Sequence, residues 1–437
     1  MVSGVAASVI LIAVLVGVIW RPRGMHVAIP AAVGALLAVV LGLVRFPTLL
    51  ALLAQTWDAS ATLIALFLLS EALDSNGFFS WAALHLARSA RGSGWLLYIL
   101  VLVLTTVTTA LLANDGAILI LTPIFARLLV HIYDKKECWL PYVLAAGFFV
   151  DATSALFIPS NLTNIIIADA NTLNFLLFAR WMVLPTLFAA IAAGLCFGVR
   201  FRTALSARYD PAILETPVDA LQDRHLTFWA SWGALLTLVI GYSIGGQLHI
   251  PVSLIASPVA LIMLLLVHVR GIRPAHKILH AAPWGILVYA LGMFVVITAA
   301  FTSGILSFLT TPLQTFIASA SGTSITHESV QGILLVGGTL TLLSASTNNL
   351  PATLVGVLVL HLVERPGLVA IYALTIGVDI GPKLTPYGSL ATLLWLGILA
   401  RYGIRISWRQ YIRENWWITL IALMAALSGL LVAQWLW

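Results

Sequence analysis

Four charged side chains sit where charge is costly. Asp115, Asp151, Asp379 and Lys383 each interrupt an apolar run, in a chain of 437 residues that has only 22 Lys and Arg and 16 Asp and Glu. A lone Asp or Lys at the centre of a membrane helix costs roughly 2.5–3.5 kcal/mol, so such groups pair, and by default they mark an ion path. A carboxylate there can take up and release a proton, and an ammonium beside it can tune that exchange. Asp379 and Lys383 stand four residues apart in GVDIGPKLTPYGSLATLLW (377–395), a stretch punctured by Gly377, Gly381, Pro382, Pro386 and Gly388. The expectation is that these two pair, and that binding of substrate or proton makes and breaks the pair. The alternative is a static buried ion pair, in which removing one partner strands the other.

These charges lie in membrane solvent. Apolar residues make up 61% of the chain and charged residues 9%, against about 25% charged in a soluble domain; mean hydropathy is +1.04. A polytopic all-α membrane protein follows. Apolar stretches long enough to span occur near 4–20, 27–44, 57–74, 175–199, 227–245, 251–268, 284–300 and 415–436. No cleavable signal is expected, because Arg21 and Arg23 follow the first stretch instead of preceding it. The net charge of +6 reflects Lys and Arg collected in loops, and no basic run interleaved with aromatics points to nucleic acid. Cys138 and Cys196 form no CxxC or Cys/His set, so neither a disulfide framework, a metal site nor a cofactor is expected. No nucleophile–base set suggests an enzyme; an aspartyl dyad of Asp151 and Asp379 is the weaker reading.

Two regions, 95–130 and 330–363, are too long for one span and are interrupted by LLANDGAILILTP (111–123) and SASTNNLPATL (344–354). Each precedes a segment broken in its middle, DATSALFIPSNLTNIII (151–167) and DIGPKLTPYGSLATLLW (379–395). Trp57 and Gly77 match Trp284 and Gly304 at an offset of 227, Asn114 matches Asn348 at 234, and Asp151 matches Asp379 at 228, which lays SNLTN (160–164) on GSLAT (388–392). The chain therefore reads as two repeats, 1–200 and 227–437, joined by a linker at 201–226. With 95–130 and 330–363 as re-entrant hairpins, about ten transmembrane helices remain and the repeats are inverted. Twelve plain crossings are the runner-up. In the inverted arrangement the loops at 21–26, 87–94, 135–137, 200–224, 270–277 and 401–413, with Arg127, share one side and hold 18 of the 22 Lys and Arg. That side is cytoplasmic by the positive-inside rule, with both termini outside. Trp408, Trp416, Trp417, Trp435 and Trp437 bracket the last helix as an interfacial belt.

Irregular backbone at bilayer depth survives only inside protein or around a cavity, and inverted repeats with broken helices meeting at the midplane are the recurrent design of secondary transporters. The breaks here are Asn114-Asp115-Gly116, Pro159-Ser160-Asn161, Asn348-Asn349 before Pro351, and Gly381 through Gly388. Polar glue between helices would not need helix breakers beside it. Asp58, Glu71, Asp74 and Asp169 read as interfacial or capping groups.

ANDGAILILTPI, DATSALFIPSNLTNIIIAD, NNLPATLVG and GVDIGPKLTPYGSLATLLWL closely resemble the ArsB family of bacterial arsenite/antimonite efflux permeases, within the ion transporter superfamily. SEALDSNGFFSWAALHLA (70–87) and APWGILVYALGMFVV (282–296) extend the match to nearly the whole chain. The resemblance implies export of trivalent arsenic or antimony across the bacterial inner membrane, driven by the proton motive force. It also implies the option of a soluble arsenite-stimulated ATPase on the cytoplasmic side, although the linker reads as plain connection. It places function at Asn114, Asp115, Asp151, Ser160, Asn161, Asn164, Asn348, Asn349, Asp379, Lys383, Thr385 and Ser389. Two cysteines cannot form a three-thiolate cage, so the cargo is expected as a neutral trihydroxy species held by amides and hydroxyls. Asn114, Ser160, Asn161, Asn164, Asn348, Asn349, Thr385 and Ser389 are then the substrate contacts, with Asp115, Asp151, Asp379 and Lys383 the proton-coupling group. A sodium/proton antiporter would have to place its cation beside Lys383. A dicarboxylate carrier would have to place its anion beside three aspartates.

Overall fold

The computed structural model describes residues 2–21, 25–214, 225–321 and 327–437. Parts of the basic loops at 21–26 and 200–224, and most of the second half of the linker, lie outside the described residues. The first half contains α1 (Val2–Trp20), α2 (Ala28–Val40), α3 (Phe46–Ser75), α4 (Phe78–Ser89), α5 (Gly94–Leu112), α6 (Asn114–Ile132), α7 (Lys136–Ala152), α8 (Leu162–Ala170), α9 (Phe175–Arg200) and the single turn α10 (Arg202–Leu205). The second contains α11 (His225–Gln247), α12 (Val252–Val269), α13 (Ala275–Ala281), α14 (Trp284–Thr302), α15 (Ser307–Ala320), α16 (His327–Thr347), α17 (Asn349–Leu360), α18 (Leu368–Ile380), α19 (Leu390–Arg401) and α20 (Trp408–Leu436). The described residues contain no strand. Eleven helical segments are long and apolar enough to cross a membrane, and α2, α17 and α19 are shorter apolar helices. This is an all-α, multi-pass membrane protein.

Each expected apolar stretch contains a helix, and the punctured regions break where their polar residues stand. Region 95–130 divides into α5 and α6 at Ala113, and region 330–363 into α16 and α17 at Asn348. The register differs by one from the sequence match. The break itself is Ala113 in one half and Asn348 in the other, so Asn114, first residue of α6, corresponds to Asn349, first residue of α17. The arms also differ: α5 and α6 have 19 residues each, about 28 Å at 1.5 Å per residue, whereas α17 has 12.

Ala113 has φ 64°, ψ 155° and Asn348 φ 114°, ψ 154°, a region populated almost only by glycine, at a cost of order 1–3 kcal/mol per residue. Asn348 offsets part of this by accepting from the Leu350 amide (3.3 Å) and donating to the Tyr387 carbonyl (3.0 Å). Ala113 has no such side chain. Ala113→Gly is therefore expected to stabilise the protein by about 1 kcal/mol, relief of strain less the added unfolded-state freedom, read as a raised midpoint of thermal unfolding in detergent.

The discontinuous helices follow from helix breakers. α7 ends at Ala152, two 3-10 turns cover Ser154–Leu156 and Ile158–Ser160, and α8 begins at Leu162 under an Asn161 cap. α18 ends at Ile380, a 3-10 turn covers Gly381–Leu384, and α19 begins at Leu390. Pro159 and Pro382 lack the amide that a continuing helix would use. At Gly388 a side chain would fall 2.5 Å from the Pro382 carbonyl oxygen, so only glycine lets the strand of chain fold back there.

Several basic loops meet on one face. Arg88 donates to the Leu214 carbonyl (2.6 Å), Tyr209 donates to the Ala87 carbonyl and its own amide donates to Gly92 (3.2 Å), Arg200 pairs with Glu414 (3.2 Å), and Tyr142 donates to Gly94 (3.0 Å). Residues 201–214 are thus docked on the 87–94 loop rather than forming a loose connection. Glu71 pairs with Arg273 (2.6 Å), and the carboxylate of Asp58 accepts from the amides of Val252 (3.1 Å) and Ser253 (2.8 Å) at the start of α12. The last helix begins at Trp408, seven residues before the expected 415, because Glu414 finds Arg200 and Arg413 as partners. At its far end Arg180 stacks over the Trp437 ring, 4.1 Å from the centroid.

Candidate functional site

Asp151 stands in the last turn of α7 and Lys383 in the 3-10 turn after α18, each 1% exposed. The Lys383 ammonium donates to Asp151 Oδ2 (2.7 Å), the Gly147 carbonyl (2.7 Å) and Thr392 Oγ1 (2.9 Å), which uses its three protons. Asp151 Oδ1 accepts from the Asn114 amide (2.9 Å), and Oδ2 accepts from Thr392 (3.3 Å). The expected Asp379–Lys383 pair is not formed. The α-helix stops at Ile380, so the i to i+4 alignment that would set Asp379 and Lys383 on one face is lost through Gly381 and Pro382. Lys383 turns instead to the carboxylate of the other half.

Asp379, also 1% exposed, faces the break before α8. Its Oδ1 accepts from the Asn161 amide (3.0 Å) and the Thr163 hydroxyl (2.8 Å). Its Oδ2 makes no hydrogen bond; the Asn164 amide donates to the carbonyls of Ser154 (2.8 Å) and Phe157 (3.1 Å). Among the described residues no Lys, Arg or His pairs with Asp379. At the offset of 228 that lays Asp151 on Asp379, the position of Lys383 is held in the first half by Ala155. The two carboxylates are therefore unlike. One is ion-paired, and the other is buried with no cation.

Four helix N-termini converge beside these carboxylates. Asn114 and Asp115 at the start of α6, Asn161, Leu162 and Thr163 at α8, Asn349 and Leu350 at α17, and Ser389 and Leu390 at α19 line one cavity of about 20 Å³. Helix N-termini present a positive dipole end, which suits electron-rich oxygen, although the amides of Asp115, Thr163, Asn349 and Leu350 are already donated to Asn114 Oδ1, Asn161 Oδ1, the Gly388 carbonyl and Asn348 Oδ1. Asp115 adds an acceptor, and Ser389 Oγ is buried without a hydrogen bond. A cavity of this size accommodates about one water molecule, so a larger guest requires the surrounding ends to separate.

Of the residues singled out in the sequence, Asn114, Asp115, Asn161, Asn349 and Ser389 line this cavity; Asp151 touches its wall at Asn114 and Asp379 at Asn161 and Thr163, and Lys383 stands behind Asp151. Ser160, Asn164, Asn348 and Thr385 do not line it. They donate to main-chain carbonyls, Ser160 to Ala110 (3.1 Å) and Thr385 to Ala345 (2.6 Å), and so hold the breaks in shape. Thr163, Thr392, Ser154 and the Gly147 carbonyl take part without having been singled out. Thr163 and Thr392 lie inside the words SNLTN and GSLAT that the sequence comparison laid on each other, so that match could have pointed to them.

A second, open cavity of about 510 Å³ lies at the far ends of α8 and α17, lined by Asp58, Asp169, Tyr242, His249 and His361 among others. Its deep wall includes Ile158, Ile166, Phe294 and Leu354. One turn of α8, Leu162 to Ile166, and one of α17, Leu350 to Leu354, separate it from the small cavity.

Broken helices whose ends meet in a buried polar cavity, within a bundle of apolar spans, define a multi-pass membrane transport protein rather than an enzyme. The family model of ArsB, described as arsenical pump membrane protein, matches residues 6–436. The chain is 37% identical over 428 residues to the arsenical pump membrane protein of Escherichia coli K12 and 38% identical over 434 residues to that of Yersinia enterocolitica, with 97% of each chain covered. A putative arsenical pump membrane protein of Bacillus subtilis is 29% identical over 421 residues, covering 92% of this chain and 93% of the relative. The chain belongs to the ArsB family.

Proposed function

We propose that this protein exports trivalent arsenic and antimony from the cytoplasm as neutral trihydroxy species, in exchange for protons, with Asp379 as the proton carrier. The observation that carries this reading is the convergence of four helix N-termini, with Asp115 and Ser389, on one buried cavity. A trihydroxy solute offers oxygens to lie at the positive ends of the four helices and hydroxyls to donate to Asp115. The description of the family and its relatives as arsenical pumps supports an arsenic compound as the cargo.

Coupling follows from Asp379. When charged, it holds Asn161 and Thr163 by charge-assisted bonds, roughly twice as strong as neutral ones, and so orients two cavity-lining residues for the solute. When protonated, it holds them less firmly. Proton and solute then oppose each other at one site, which antiport requires, and linkage makes the opposition reciprocal. Asp151, fixed by Lys383 and Asn114, keeps the mirror break rigid. A neutral solute gains nothing from the membrane potential by itself, so the work of concentration comes from the proton.

The two halves act as inverted repeats in the bacterial inner membrane. The helix boundaries at Ala152 and Ile380, and at Leu162 and Leu390, keep the offset of 228, which supports the repeat. The face carrying the basic loops is cytoplasmic by the positive-inside rule, and the 510 Å³ cavity then opens outward as the exit vestibule, with the termini on its side.

Everted membrane vesicles test this reading. An acid-inside gradient is expected to drive arsenite accumulation that a protonophore abolishes and that replacement of sodium by choline leaves unchanged. Absence of arsenite uptake, or a strict sodium requirement, would overturn it.

A further inference from the structure

The surroundings of the Lys383 ammonium are those of a bound cation. Three oxygens of different kinds surround Nζ: the Asp151 carboxylate and the Gly147 carbonyl at 2.7 Å, and the Thr392 hydroxyl at 2.9 Å. They come from the end of α7 and the first turn of α19, so the ammonium ties the discontinuous helix of one half to that of the other. Carboxylate, carbonyl and hydroxyl oxygens are the ligands of hard cations. Among the described residues no other cation reaches Asp151. The ammonium has its three protons committed to three acceptors, which satisfies both its charge and its geometry.

We propose that Lys383 is a tethered cation occupying a monovalent-cation site, so that the protein needs no free alkali ion, and that removing the side chain opens this site to sodium or potassium. In Lys383→Ala the space of a butylammonium chain is vacated beside a buried carboxylate. Asp151 is left with Asn114 and Thr392 as donors and no countercharge, while the Gly147 carbonyl and the Thr392 hydroxyl keep their free lone pairs turned to the gap. An alkali cation restores both charge and ligation there. Lys383→Met fills most of the same space without charge and leaves no room for an ion. The inference rests on the ligand set of Lys383 and not on the cargo, and its readout involves no transported solute.

The test is thermal unfolding of the purified full-length protein in detergent, titrated with sodium or potassium chloride against choline chloride at constant ionic strength. Lys383→Ala is expected to be stabilised saturably by at least one alkali ion and not by choline. The ratio of folded to unfolded protein should rise about 100-fold at a concentration 100 times the dissociation constant. Wild type, Lys383→Met and the double variant Asp151→Asn/Lys383→Ala are expected to respond alike to all three salts. The proposal is overturned if Lys383→Ala responds equally to choline and alkali, if it fails to fold in sodium and potassium alike, or if it is relieved only by acidification. A wild type that itself gains alkali-specific stability overturns it as well, since its site would then be elsewhere.

Discussion

Asp379→Asn is expected to abolish concentrative arsenite uptake while leaving a folded protein in the membrane. With one proton exchanged per solute, each unit of pH gradient supports about tenfold accumulation, the equivalent of 1.36 kcal/mol. In the asparagine variant that ratio should fall to one at any gradient, because the carboxyl assigned to carry the proton is gone. The amide oxygen can still accept from Asn161 and Thr163, though without charge assistance. Downhill equilibration should therefore persist with a raised half-saturation. Uptake in everted vesicles at fixed pH gradients, with and without protonophore, measures both quantities. An asparagine variant that still concentrates arsenite would remove Asp379 from the coupling step.

The second large effect concerns Asp151 and Lys383. Removing one member of a buried pair leaves an uncompensated charge and costs about 3–5 kcal/mol, whereas replacing both by apolar groups is often neutral or stabilising. Asp151→Leu and Lys383→Met are each expected to lose stability of that order, and the double variant to lie within about 1 kcal/mol of wild type. The coupling measured by the double-mutant cycle should exceed the roughly 0.5–3 kcal/mol seen for ordinary neighbours. If Asp151 serves as scaffold, the double variant also retains gradient-driven uptake. Near-additive single effects would show that the pair does not form, and loss of coupling in a stable double variant would return Asp151 to the proton path.

Much of this architecture could be read from the chain, and the gaps have physical causes. Apolar runs located the long spans because lipid demands about 20 apolar residues per crossing. The breaks could be read at Pro159, Gly381, Pro382 and Gly388, since few residues stop a helix inside an apolar stretch. The shorter helices α4, α13 and α15 were not singled out, because each is too short or too polar to register as a span. The break between α5 and α6 falls at Ala113, one residue before the expected Asn114, because Ala113 adopts a glycine-like backbone without being glycine, which leaves no mark in the sequence. Above all, a spacing of four cannot identify a partner where the backbone is unwound. Asp379 and Lys383 look like helix neighbours in the sequence, but Lys383 finds its carboxylate 232 positions away, at Asp151. The polar residues at the breaks form two groups that only the fold separates: those facing the cavity, such as Asn161 and Asn349, and those bonded to carbonyls, such as Asn164 and Thr385.

The most direct test of the central claim reverses the direction of the work. Purified protein in liposomes, with equal pH on both sides and a trapped pH-sensitive dye, receives an arsenite gradient as the only driving force. Exchange predicts that arsenite entering the lumen drives protons out, so the lumen becomes alkaline, and that Asp379→Asn shows no such change while arsenite still equilibrates. Arsenite entry without any pH change in the wild type, or a pH change that requires sodium, would contradict it.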